Sequence, residues 1–129
     1  MSKINLSFIV PLAPISKKNS QQIYRPNGMN RPIIVPSKKY KEYEEAAAEY
    51  IPKLRQPHPI NEPVNIKCLF YMPTRRKVDL TNLLEAIDDV MVKVGLLADD
   101  NFTIIQSHDG SRVLYDKDNP RTEVYITEA

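Results

Sequence analysis

The chain has 129 residues, 42% hydrophobic and 26% charged, enough to bury one compact core, which excludes a mainly disordered chain. No apolar run reaches the roughly 20 residues needed to span a bilayer, and the single cysteine, Cys68, excludes an intrachain disulfide and a cysteine-based zinc site. A net charge of +2 is too weak for a general polyanion-binding coat, so nucleic-acid contact would need locally gathered cations. The opening residues lack a signal-peptide pattern. The expectation is one domain over residues 1–129, cytoplasmic and without a membrane segment.

Residues 4 to 10 alternate as a strand, with Ile4, Leu6, Phe8 and Val10 on one face, until Pro11 and Pro14 end it. A long polar stretch from Ile15 to Pro32 reads as a loop, with a short strand near Ile33-Ile34-Val35. Ser37 then predicts a helix N-cap. Tyr40, Tyr43, Ala47, Tyr50, Ile51 and Leu54 follow at helical spacing as its buried stripe. Three prolines mark 55–63 as a loop, and Val64 to Met72 reads as a strand that places Cys68 as a packed thiol. A second helix is predicted from about Asp79 to Val94, stopped by Gly95. Beyond it, Phe102-Ile104-Ile105, Val113-Leu114-Tyr115 and Val124-Tyr125-Ile126 give two or three strands, with turns at Asp109-Gly110 and Asn119-Pro120. The fold class is α/β (α+β): a single mixed sheet with two main helices. His58 and His108 lack ligand-like spacing and read as surface or loop residues.

The second helix carries the chemical signal. Leu80, Leu83, Leu84, Ile87, Val90, Met91 and Val94 form its core face. Asp79, Asn82, Ala86, Asp89 and Lys93 then lie along one margin of the polar face. Two readings fit. In one, Asp79 is an N-cap, Asn82, Glu85, Asp88 and Asp89 are solvated, and Asp99-Asp100-Asn101 is a turn. In the other, Asp79 and the Asp99-Asp100 pair hold a hard divalent cation, which takes oxygen ligands and promotes phosphodiester hydrolysis. The cations gather at Lys17-Lys18, at Lys38, Lys39 and Lys41, and at Arg75-Arg76-Lys77.

Arg75-Arg76-Lys77-Val78-Asp79-Leu80-Thr81-Asn82-Leu83, followed by Asp88-Asp89, Gly95 and Asp99-Asp100, resembles the signature of the RusA family of Holliday junction resolvases. That pattern is a basic run, Asp-Leu-x-Asn-Leu opening a helix, an acid ten residues on, a glycine and then paired aspartates. Pro14-Ile15-Ser16-Lys17-Lys18-Asn19 resembles the family's early loop. The resemblance implies a RusA-like homodimer, dependent on magnesium (or manganese), that resolves four-way or branched DNA by paired nicks in recombination and repair. It implies Asp79, Asp99 and Asp100 as metal ligands, Asp79, Asn82 and Asp100 as catalytic residues, and Asp89 and Glu85 in support. Lys17, Lys18, Asn19, Arg75, Arg76 and Lys77 would contact DNA. Thr81 and Glu85 depart from the pattern, where a third acid and a lysine often stand. The alternative is a branched-DNA-binding protein whose catalytic site has decayed.

Overall fold

The structure, a computed structural model, describes residues 4–16, 21–24, 33–52 and 59–129. In chain order the elements are β1 (Asn5–Val10), β2 (Gln21–Tyr24), β3 (Ile33–Pro36), α1 (Lys38–Ala48), β4 (Val64–Met72), α2 (Leu80–Lys93), β5 (Ile105–Ser107), β6 (Arg112–Tyr115) and β7 (Arg121–Glu128). The fold is α+β: a mixed five-stranded sheet with two helices, beside a small β2–β3 ribbon.

β4 is the centre of the sheet because its sequence satisfies both faces. Val64, Ile66, Cys68 and Phe70 are buried, and the residues between them point to the other side. β7 runs antiparallel along one edge, setting Ile126 against Ile66 and Val124 against Cys68. β1 pairs with β7 in turn. Along its other edge β4 has parallel partners, β5 at Val64–Asn65 and β6 at Leu69–Met72. A parallel partner requires a crossover, and α2 supplies it. The core joins the inward residues of β4 and β7 to Tyr43, Ala47 and Ile51 and to Leu83, Ile87, Val90 and Met91 of α2. Burial pushes the Cys68 thiol well above its usual range, with Asp88 nearby adding to the rise, which keeps it neutral. Burial likewise pushes the Tyr43 hydroxyl up to about 12.

The helix ends follow local chemistry. The Ser37 hydroxyl accepts the Tyr40 amide at 3.1 Å, the predicted N-cap. α1 stops at Ala48, short of the stripe expected to run on to Leu54, because Pro52 disfavours helical backbone at the residue before it. Ile51 still reaches the core, but Tyr50 is 46% exposed, which corrects its place in the buried stripe; Leu54 lies outside the described residues. α2 ends in a Schellman motif. Gly95 takes φ +86°, its amide donates to Val92 at 3.1 Å, and the Leu96 amide donates to Met91 at 3.0 Å. Val94 is 39% exposed rather than buried, since it already belongs to that turn.

Two departures bear on the site. The predicted strand at 102–105 begins only at Ile105, and Phe102 stands 81% exposed in a turn held by Asn101, whose side chain accepts the Thr103 amide at 2.9 Å. Asp109-Gly110 does not reverse the chain. β5 and β6 both run parallel to β4, so residues 108–111 bulge out of one interrupted strand. Side chains replace the missing ladder bonds there. Asn65 Oδ1 accepts the Asp109 amide at 2.8 Å, and Ser111 Oγ accepts the Cys68 amide at 2.9 Å.

Candidate functional site

Asp79 occupies the N-cap position of α2, yet its side chain makes no capping hydrogen bond. Its Oδ2 instead accepts from Asn82 Nδ2 at 3.2 Å. The exposed carboxylate is therefore held at the helix mouth, where the unsatisfied amides favour negative charge. Asn82 orients it, as the shared margin of the helix predicts.

The Asp99-Asp100 pair divides its work. Asp99 Oδ1 accepts the Asp100 amide at 2.7 Å and its Oδ2 accepts Asn101 Nδ2 at 3.0 Å. Both Asp99 oxygens thus serve the turn. Asp100 is exposed, and among the described residues no cation lies within salt-bridge distance of it or of Asp79 and Glu85.

Asp88 was legible only as part of a solvated face, and the structure overturns that. It is 6% exposed, and its Oδ2 accepts from His108 Nε2 at 2.8 Å. His108 lies in the loop that bulges between β5 and β6, as expected of a loop residue, but it is half-buried there and engaged with α2. Burial raises the Asp88 carboxyl above its usual range, the His108 hydrogen bond and charge oppose the rise, and the negative charge of Asp100 adds to it. Among the described residues Asp88 Oδ1 has no hydrogen-bond partner. The bulge aims a histidine at the helix, a use typical of bulges near functional sites. No signal within α2 could have revealed it, because the partner lies 20 residues downstream.

Asp89 and Lys93 take a different part. Lys93 Nζ reaches Glu44 of α1 at 2.9 Å and Asp89 at 3.4 Å, tying the two helices together. That engagement leaves the position of the missing lysine, where Glu85 stands, without a basic substitute from Lys93.

The basic run splits in two. The Arg75 guanidinium lies over the Tyr115 ring, 4.2 Å from its centroid. Arg76 and Lys77 turn to a cleft of about 580 Å³ that they share with Lys39, Ser16 and the apolar side chains Pro14, Ile15, Met72 and Val78. Lys17, Lys18 and Asn19 lie outside the described residues, as does His58.

The structure thus joins Asp79 to Asn82 and brings Asp100 within electrostatic reach of Asp88. Asp88 is nine residues along α2 from Asp79, roughly 13 Å of helical rise. Among the described residues no group of three or more His, Cys, Asp or Glu side chains is spaced to hold a metal ion. The donors that are present, exposed carboxylate oxygens beside an amide, suit a hard cation such as magnesium, which is commonly held by one or two carboxylates with water filling its shell.

The sequence model described as endodeoxyribonuclease RusA matches residues 11–127, nearly the whole 129-residue chain. The chain belongs to the RusA endodeoxyribonuclease family. No curated protein matches it. The matched RusA segment contains both helices, the strands after β1 except for the last residue of β7, and the acidic and basic residues described above. Among the described residues no helix is long and apolar enough to cross a membrane.

Proposed function

We propose that this RusA-family chain is a structure-specific endodeoxyribonuclease that resolves Holliday junctions by paired nicks. It would use magnesium, with manganese as a substitute, and act as a homodimer in the cytoplasm during recombination and repair. The observation that carries the reading is the pairing of exposed, cation-free carboxylates at Asp79 and Asp100 with a basic run that begins four residues before Asp79. Such a layout leaves negative charge for a metal and positive charge for phosphate within one segment.

Asp79 and Asp100 would be the ligands, with Asp99 beside them. When bound, a divalent cation supplies water activation and charge neutralisation at the phosphoryl group. Asn82 fixes the Asp79 carboxylate by its hydrogen bond. Asp88 and His108 stiffen α2 behind Asp100, and Glu85 adds negative charge on the exposed side of the helix. Arg76 and Lys77 take phosphates, which positions DNA without reading its sequence. Two strands must be cut symmetrically, and a two-fold dimer presents two such sites.

The test is a synthetic four-way junction with labelled strands. With magnesium, the protein should nick two opposing strands at symmetric positions, and a chelator should abolish the products. Binding without nicking in any divalent metal would instead select the decayed-site alternative that Thr81 and Glu85 raise.

A further inference from the structure

We propose that the cleft between residues 13–16, the start of α1 and residues 73–78 receives one unpaired nucleotide of branched DNA. Its phosphate would rest on Lys39, Arg76 and Lys77, and its base against Pro14, Ile15 and Met72. The proposal rests on the branched-DNA reading above and specifies where this chain would recognise the branch.

Three observations carry it. The first is charge. Among the described residues three cations line the cleft and no carboxylate does. Among the described residues none of the three is ion-paired, whereas Lys38, Lys93 and Arg121 each hold an acid. Lys39 sits in the first turn of α1, which carries no acidic residue, so the positive end of the helix adds to the field. Unpaired cations at this density are suited to a phosphate.

The second is shape. The cleft measures about 580 Å³, within the roughly 300–1,000 Å³ of pockets that hold small organic ligands. Phosphates on the outside of a duplex need only a cationic surface. A concave wall with apolar side chains adds a place for a base face, an aliphatic counterpart of the aromatic platforms that single strands stack on. At a four-way junction the bases at the crossover are the ones most easily released from the stack.

The third is position. Val78 lines the cleft and Asp79 follows it in the chain. A nucleotide seated there would direct its neighbouring phosphodiester toward the first of the candidate ligands. Arg75 does not share in this, because its guanidinium is stacked on Tyr115. The basic run is thereby divided between holding the fold and holding the nucleotide.

The test compares binding in a chelator, where no nicking occurs. The probes are a fully paired four-way junction, the same junction with one unpaired 2-aminopurine nucleotide at the branch, and a linear duplex. The protein should bind the junction with the unpaired base about fivefold more tightly than the paired one, the lower end of a base–aromatic stack because the wall here is aliphatic. The 2-aminopurine emission should change on binding. Ala13→Phe, which fills the cleft and removes no charge, should erase both the preference and the emission change. Lys39→Ala, at an exposed position, should weaken binding of the unpaired junction more than that of the duplex. Circular dichroism on both variants establishes that they fold. Equal binding of the two junctions by the unmodified protein, or a preference that survives in folded Ala13→Phe and Lys39→Ala, overturns the proposal. Failure to prefer any junction over the duplex overturns the branched-DNA reading as well, whereas a junction preference blind to the unpaired base sinks the cleft alone.

Discussion

The open face of the sheet and the acidic margin of α2 are both rich in charge, and they handle it in opposite ways. On the sheet, Arg121 bridges Asp116 at 3.0 Å and Glu123 at 2.7 Å and lies over the Tyr71 ring. Lys67 sits above Tyr125, whose hydroxyl donates to Glu123 at 2.7 Å. On and just beyond the helix, Asp79, Glu85 and Asp100 have no cationic partner among the described residues. Paired charges hold strands in register at modest net gain. Exposed carboxylates without cationic partners add little to stability beyond the helix-end placement of Asp79, so their gathering in one segment is consistent with a ligand of opposite charge. Two acids of α2 depart from this: Asp89 is paired with Lys93 at 3.4 Å, and Asp88 is buried and bonded to His108 as the sheet charges are bonded to one another.

The largest effect should come from the unpaired group. Asp79→Asn and Asp100→Asn should each lower junction nicking by more than the roughly 10–100-fold that loss of an outer-shell metal partner costs. Their unfolding free energies should stay within about 0.5 kcal/mol of the unmodified protein, as for surface substitutions elsewhere. Urea denaturation run beside the gel assay checks both. A parallel loss of stability would erase the contrast between the two regions.

His108→Ala probes the buried acid. It leaves the Asp88 carboxyl buried without its donor and should destabilise by roughly 1–3 kcal/mol in the same denaturation experiment. Asp88→Asn should cost less, because the charge disappears with the proton donor's partner. If His108→Ala is neutral, Asp88 belongs with the unpaired acids after all.

Gly95→Ala tests the joint between the helix and the acidic turn. An added Cβ would meet nothing within 4 Å, so the cost is the left-handed backbone alone, about 1–2 kcal/mol. Thermal unfolding reads it. Nicking should fall more than for an equally destabilising change in the β2–β3 ribbon, because the motif sets the path to Asp99 and Asp100.

The smallest effect lies on the sheet. Burial alone would raise the Glu123 carboxyl, but the Tyr125 hydroxyl and the Arg121 guanidinium outweigh it and hold it below the usual range. With the folded pKa below the unfolded value of about 4.3, the group's stabilisation is present above that pH and is lost as pH falls through the folded pKa. Glu123→Gln should therefore lose less melting temperature than the unmodified protein between about pH 5 and 3. Parallel curves would remove Glu123 from the paired network.

These contrasts also show which features local sequence could carry. β4 and α2 were readable because Val64, Ile66, Cys68 and Phe70 keep a two-residue period, and Leu83, Ile87, Val90 and Met91 keep a helical one. The N-cap Ser37 and the stop at Gly95 are equally local. β2 was not readable, since Gln21-Gln22-Ile23-Tyr24 lacks alternation and is defined by pairing with β3. The bulge at 108–111 was missed because Asp109-Gly110 carries the signature of a reversing turn, and only the shared direction of β5 and β6 shows otherwise. The candidate residues at the mouth of α2 were legible by spacing and resemblance. The burial of Asp88, the stacking of Arg75 on Tyr115 and the cleft around Lys39 arise between segments distant in sequence.

The central claim is that the unpaired carboxylates await a divalent cation, and calorimetric titration of magnesium and manganese tests it most directly. The account predicts saturable binding to the unmodified protein that is lost in Asp79→Asn and Asp100→Asn and kept in Glu123→Gln. Equal binding by all four proteins, or none by the unmodified one with and without junction DNA, would contradict it.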